Sequence, residues 1–169
     1  MEERMSLEER AVQALTARGC EITTAESCTG GMLASMLVNA AGASEIFKEG
    51  YITYSNEAKS RLLGVDEQAL ERYGAVSETV ARQMAEGAAA AAGATAALSV
   101  TGIAGPGGGT KEKPVGLVYI GCYLDGTTTA ERNLFHGSRL EIREASARRA
   151  LELLLARMEE LGDGETVSR

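Results

Sequence analysis

The chain has 169 residues, 44% of them hydrophobic, enough to bury one domain's core without disulfide staples. Its 24 acidic residues outnumber 17 basic ones for a formal charge of −7, and aromatics make up only 4%, which argues against nucleic acid or an anionic membrane surface as a partner. Three cysteines, at 20, 28 and 122, are odd in number and contain no CxxC pair, a pattern that predicts free thiols in a reducing compartment and no structural zinc.

The opening residues Met1 to Arg10 are highly charged and lack the apolar core of an export signal. No apolar run approaches the roughly 18 residues of a membrane span, so the expected location is the cytoplasm. Ser6-Leu-Glu-Glu9 matches a capping box, and Leu7, Val12 and Leu15 share one face, predicting a helix over 6–18 ended by Gly19. Cys20-Glu-Ile-Thr-Thr24 reads as a strand and Met32 to Asn39 as a helix. Between them Thr24-Ala-Glu-Ser-Cys-Thr-Gly-Gly31 makes a strand-to-helix turn that carries Ser27. Such turns hold nucleophiles and anion sites in α/β enzymes, with the amides of Thr29, Gly30 and Gly31 as candidate oxyanion or phosphate donors. Ser27 as a plain helix cap is the alternative.

Lys48 to Tyr54 reads as a second strand, which leaves Tyr54 where strand hands over to a short helix capped by Ser55 and stopped by Gly64. A brief helix follows from Asp66 to Arg72. Ser77 caps a longer Ala-rich helix to Ala92, whose small side chains suit close packing on a sheet. Thr95 to Thr101 is a buried strand leading into the loop Gly102 to Pro114, which holds both prolines of the chain. Asp125-Gly126 joins two antiparallel strands, 115–124 and 127–135, and Ser138-Arg-Leu-Glu141 opens a long amphipathic helix before a polar, frayed tail from Gly162. One domain results, a mixed sheet covered on both faces, with catalytic loops beyond the strand ends near 24, 54 and 101.

Ser27 needs a base. The only histidine, His136, lies near the end of a predicted strand with nothing site-like around it. Lys59, about one turn into the helix after Tyr54, is the alternative, and it serves as a base only if burial or a nearby positive charge lowers its pKa. A Tyr54 hydroxyl nearby would relay the proton. A surface Lys59 and a core Tyr54 are the bland readings of the same residues. The loop fits neither the P-loop nor the GxGxxG pattern, but its amides at Gly102 to Gly105 can take one phosphate, with Lys111 and Lys113 as a lid. A flexible connection explains the glycines equally well. Cys28 as a rival nucleophile lacks a neighbouring histidine, and a buried thiol fits it better.

Together, the Thr24–Gly31 motif, Gly50-Tyr-Ile-Thr-Tyr-Ser-Asn-Glu-Ala-Lys59, Leu63-Gly-Val65, Tyr73-Gly-Ala-Val-Ser77, Thr101-Gly-Ile-Ala-Gly-Pro106 and Lys113-Pro-Val-Gly116 resemble the CinA C-terminal domain family over about residues 6–157. The resemblance implies a three-layer α/β/α fold with a mixed, mostly parallel five-stranded sheet ending in an antiparallel hairpin. It implies nicotinamide-nucleotide amidohydrolase activity, converting nicotinamide mononucleotide to nicotinic acid mononucleotide and ammonia in pyridine-nucleotide salvage. A serine nucleophile with lysine and tyrosine support corresponds to Ser27, Lys59 and Tyr54, although Tyr51 in the same motif is an alternative tyrosine. Thr29, Gly30, Gly31, Thr101, Gly102 and Gly105 are the implied oxyanion and substrate contacts. No metal or organic cofactor is expected, and the apolar helices with the resemblance suggest a homo-oligomer. A non-catalytic nucleotide-binding or sensor module and a hydrolase for a different amide are the competing functions.

Overall fold

The computed structural model describes residues 4–162, so most of the expected tail, 163–169, lies outside the described residues. Helix α1 (Leu7–Ala17) carries the predicted capping box: Glu9 N–H donates to Ser6 Oγ and the Ser6 amide donates to the Glu9 carboxylate. Strand β1 spans Ile22–Glu26, two residues further on than expected, so it runs directly into Ser27. Helix α2 (Met32–Val38) is followed by a single turn, α3 (Ala43–Ile46), that the sequence did not announce. The expected seven-residue second strand shrinks to β2 (Tyr51–Ile52), because only Ala25 and Glu26 at the end of β1 have partners there.

The remaining elements fall close to their expected limits. Helix α4 (Asn56–Leu63) is capped by Ser55 and ended by Gly64, and α5 (Glu67–Tyr73) is capped by Asp66. Helix α6 (Glu78–Ala92) is capped by Ser77. Strands β3 (Ala96–Gly102), β4 (Leu117–Leu124) and β5 (Thr127–Leu134) lead to α7 (Arg139–Glu160), which opens on the second capping box. At the β4–β5 turn Asp125 and Gly126 both have positive φ, 47° and 83°, the backbone that matches the twist of a two-residue hairpin.

The sheet order is β2-β1-β3-β4-β5. β1 pairs in parallel with β2 and β3, β4 is antiparallel to β3, and β5 is antiparallel to β4, so β4 alone runs against the other four. The fold is α/β with helices on both faces. One core layer joins the sheet to α1, α2, α3 and α7 through residues such as Leu15, Leu33, Leu98 and Leu151; the other packs Leu63, Val80, Met84 and Ala88 of α4 and α6 beneath Ala25 and Ala97.

Strand parity decides which face each residue meets. On β3, Leu98 and Val100 enter the first layer while Ala97, Ser99 and Thr101 face α6 and the turn before it, where Ser99 donates to the Ala81 carbonyl and Thr101 to the Ala75 carbonyl. On β1 the same alternation sends Glu26 toward α2 and puts Ala25, with Ser27 two residues later, on the side of α4. The small residues of α6 allow a close approach: a β-carbon on Gly121 would sit 2.5 Å from the Ala81 carbonyl, and one on Gly87 would overlap the Leu63 carbonyl. Alanine and glycine thus set the height of α4 and α6 above the sheet.

Candidate active site

The chain leaves β1 at Ser27, whose amide still donates to Val100 of β3, so the sheet itself holds the residue's backbone. A tight turn follows, closed by Gly30 N–H on the Ser27 carbonyl and Met32 N–H on the Thr29 carbonyl, with Gly30 and Gly31 both at positive φ. From the next segment, α4 brings in Lys59 one turn after its Ser55 cap. Its side chain turns inward, only 1% exposed, and stops with Nζ 2.9 Å from Ser27 Oγ. Two further contacts fix the amine: Nζ lies 2.8 Å from the Thr53 carbonyl and 3.3 Å from the Tyr54 carbonyl.

This donor count has a chemical consequence. Among the described residues no carboxylate pairs with Lys59, and its three neighbours are all neutral. An ammonium has three N–H groups and would donate to all three; a neutral amine has two N–H groups for the two carbonyls and one lone pair for the Ser27 hydroxyl. Burial favours the neutral form and pulls the Lys59 pKa down from 10.5 to about 8, with the Cys28 thiol acting in the opposite direction. The Cys28 thiol is itself pushed up to about 11 by burial, which leaves it protonated and a poor nucleophile.

The pair opens into a cavity of about 260 Å³, walled by Cys28, Tyr54 and Asn56, by Ala75 and Val76, by the stretch from Thr101 to Gly105, and by Gly107, Gly108 and Arg139. A larger groove of about 530 Å³ lies between α1 and α3, but its one hydroxyl, Thr16, is spent on the Val12 carbonyl and no lysine or histidine lines it. The cavity at Ser27, with its hydroxyl–amine pair, is therefore the candidate site. Among the described residues no group of three or more His, Cys, Asp or Glu side chains is arranged to hold a metal ion, and no helix is long and apolar enough to cross a membrane.

Several expected residues occupy other positions. Thr29, Gly30 and Gly31 do not line the cavity: Thr29 is fully buried and the Gly30 amide is used inside the turn. The α2 N-terminus behind them is already filled by Glu26, 1% exposed, whose two carboxylate oxygens accept from Leu33 N–H at 2.8 Å and Ala34 N–H at 3.1 Å. The carboxylate thus satisfies two of the orphan amides in the first turn of α2, those of Leu33 and Ala34, just beyond the 29–31 turn. Tyr54 contributes its carbonyl to Lys59, but its ring is 63% exposed and its hydroxyl accepts from Arg139 rather than meeting Ser27. Tyr51 is no substitute, since its hydroxyl donates to Glu49 at 2.8 Å, and burial and that carboxylate push its pKa up to about 12.

Thr101, Gly102 and Gly105 do line the cavity. The Thr101 hydroxyl is spent on Ala75, tying β3 to the turn before α6, while Gly102 and Gly105 let the loop lie close against β4 and Val115, where a β-carbon would collide. Lys113 is anchored to the Tyr73 carbonyl, and neither it nor Lys111 is in the cavity wall; His136 is exposed and outside it. Sequence reasoning missed Glu26 and Arg139. The first was hidden because a carboxylate at the end of a strand normally seeks solvent, and the second because the capping box around it accounted for its segment.

The model of the CinA C-terminal domain matches residues 4–158. A CinA-like protein from Kosmotoga olearia is 53% identical over 149 residues, 88% of this chain and 36% of that relative. A putative competence-damage inducible protein from Clostridium botulinum strain 657 is 50% identical over 153 residues, 90% of this chain and 37% of that one. The chain thus spans little more than a third of the length of these curated relatives. Solved structures match along nearly their whole length: the competence/damage inducible protein CihA from Agrobacterium tumefaciens is 42% identical with a TM-score of 0.86, covering 92% of this chain and 98% of that one. A CinA superfamily protein from Klebsiella pneumoniae is 36% identical with a TM-score of 0.88, covering 91% and 96%.

Proposed function

The chain belongs to the CinA C-terminal domain family, and on that premise we propose that it is a serine amidohydrolase that cleaves the carboxamide of nicotinamide mononucleotide. The observation that carries the reading is the 2.9 Å contact between Ser27 Oγ and a buried Lys59 amine whose remaining contacts are carbonyls. A serine hydroxyl attacks an amide only when a base takes its proton, and a lysine held near neutrality is such a base.

Ser27 Oγ adds to the carboxamide carbon as its proton passes to Lys59 Nζ. The amide of Cys28, next to the nucleophile and in the cavity wall, takes the oxyanion role. Lys59 returns the proton to the departing nitrogen, ammonia leaves, and an acyl ester on Ser27 remains. Water, deprotonated by the same amine, hydrolyses that ester and releases the mononucleotide acid. Arg139, Asn56 and the backbone of Gly102, Gly105, Gly107 and Gly108 add polar groups to the wall, which suits a nucleotide better than an apolar amide. The whole cycle needs no group beyond these side chains and water.

Ammonia release from nicotinamide mononucleotide is the direct test. The wild-type protein should release one ammonia per nicotinic acid mononucleotide formed, and Ser27→Ala should lower the rate by more than about 10⁴-fold while keeping the thermal midpoint. Full activity in Ser27→Ala would overturn the nucleophile, and tight nucleotide binding with no ammonia would point to a sensor module instead.

A further inference from the structure

The turn that carries Ser27 is gripped from outside by α7. Arg143, one turn into that helix, lays one edge of its guanidinium against the main chain just past the nucleophile: Nε donates to the Cys28 carbonyl and Nη2 to the Thr29 carbonyl, both at 2.9 Å. All three carbonyls of the turn are thereby occupied, since that of Ser27 accepts from Gly30 N–H. Thr29 has a second donor in Met32 N–H, so the Cys28 carbonyl is the one that depends on the guanidinium. Arginines further along α7 are employed differently, Arg148, Arg149 and Arg157 each pairing with a glutamate.

This two-pronged contact sets orientation as well as position. Peptide units are rigid, so a planar edge bonded to successive carbonyls fixes both peptide planes between Cys28 and Gly30. Those planes follow directly on the Ser27–Cys28 unit, whose N–H serves the oxyanion. A lysine offers no planar edge to match two carbonyls in a row. Charge adds to geometry. Glu26, buried beside the same turn, bonds the Leu33 and Ala34 amides, and at the Cys28 thiol the two charged groups act in opposite directions, the carboxylate raising the pKa and the guanidinium lowering it. A negative charge forming next to Ser27 meets both fields, so Arg143 offsets a carboxylate that opposes it.

We propose that Arg143 is a positioning residue for the nucleophile, acting through the Cys28 and Thr29 carbonyls to hold the turn in the arrangement that keeps Ser27 Oγ against Lys59 and the Cys28 amide toward the cavity. It does not line the cavity and touches no substrate. The proposal rests on the amidohydrolase reading for the bond that is cleaved, but not for the reactivity of Ser27. With the Ser27 amide bound to Val100 of β3 and the following carbonyls bound to α7, the hydroxyl is fixed between sheet and helix before substrate arrives.

Two arms test it. In turnover of nicotinamide mononucleotide, Arg143→Met should lower kcat by about 10–100-fold with KM changed less than about 3-fold, and Arg143→Lys, which keeps the charge without the planar edge, should recover part of the loss. Methylguanidinium added to Arg143→Ala should restore rate at least about 5-fold. Wild-type kcat in Arg143→Met, or a loss shared by kcat and KM that neither Arg143→Lys nor methylguanidinium relieves, overturns the proposal, the second result marking a brace of the fold alone. The other arm needs no amide. Methanesulfonyl fluoride should sulfonylate Ser27: Oγ bonds to sulfur, the S–F bond breaks, fluoride leaves and Lys59 takes the proton. Peptide mass mapping should find the wild type labelled at Ser27 and Arg143→Met labelled about 10-fold or more slowly, with Arg143→Lys between them. Labelling in this order without ammonia release by the wild type would sink the amidase reading and leave the positioning role standing. Equal labelling rates, or no labelling of the wild type, sink the positioning role whatever the turnover.

Discussion

Ser27 and Ser99 are buried hydroxyls on neighbouring strands of one sheet, and they are treated differently. Ser99, in mid-strand, donates to the Ala81 carbonyl at 2.6 Å and accepts from the Gly121 amide at 3.1 Å, so both of its capacities are satisfied by fixed backbone. Ser27, one residue beyond β1, has Lys59 as its side-chain partner, itself a group that burial destabilises in its charged form. The same contrast extends outward. Three buried hydroxyls lack a partner among the described residues, Thr24, Thr29 and Thr53, and all belong to the segments around Ser27 and Lys59. On the β4–β5 side, turn, packing and hydrogen bonding agree. Among the described residues polar dissatisfaction is concentrated around the candidate site, as expected of a site that costs stability to maintain.

Replacing the amine breaks this contrast most sharply. Lys59→Met keeps length and shape but removes the base, so amide hydrolysis should fall by more than about 10³-fold, measured as ammonia release. Stability should move the other way. A buried lysine that is depressed from 10.5 to about 8 is an uncomfortable charge at pH 7, and the apolar substitute should raise unfolding free energy by about 1–2 kcal/mol in urea titrations. In the wild type the base is neutral above its folded value, so kcat/KM should rise with pH and level off beyond about 8. Between about 8 and 10.5 the unfolded chain holds the extra proton. Lys59 therefore adds stability as pH rises through that window, and the contribution is lost again as pH falls back through the folded value. A flat profile, or a destabilised Lys59→Met, would contradict a buried neutral amine.

An intermediate case lies between the two regions. Glu26 belongs to β1 but caps α2, and its carboxylate accepts from two amides at once. Glu26→Gln keeps one acceptor and presents an N–H₂ to the other donor, so it should cost about 1–2 kcal/mol and, by loosening the turn that follows, reduce kcat about tenfold with little change in KM. If activity is untouched, the turn at Ser27 is held by the sheet alone.

The legibility of these regions differs for the same physical reason. The capping boxes at Ser6 and Ser138, the Asp125-Gly126 hairpin and the glycine-terminated helices α4 and α6 are local devices whose residues satisfy one another within a few positions, so a linear reading finds them. The site depends on pairings across the chain: Lys59 meets Ser27 from 32 residues away, and Arg139 meets Tyr54 from 85. Ser27 and Lys59 were legible as candidates because a strand-to-helix turn and a capped helix put both at the same sheet edge. The Tyr54 contact with Arg139 and the Glu26 cap on α2 leave no local trace in the sequence, because both depend on side-chain direction in the folded chain. The length of β2 was overestimated for a related reason, since strand propensity cannot reveal that β1 offers only two partner positions.

The smallest expected effect tests the satisfied side. Ser99→Ala removes a hydroxyl that joins α6 to β3 and to Gly121, with no route to the cavity except through packing. Loss of a neutral buried hydrogen bond should cost about 1 kcal/mol, visible as a lowered urea midpoint with unchanged slope. Ammonia release and its pH dependence should remain at wild-type values, because Thr101, two residues along the same face of β3, keeps its own bond to Ala75 and so preserves the cavity wall. A fall in activity matching that of Glu26→Gln would mean that α6 and the Ser27 turn move together, and the distinction between scaffold and site would then have to be redrawn at α6 rather than at β3.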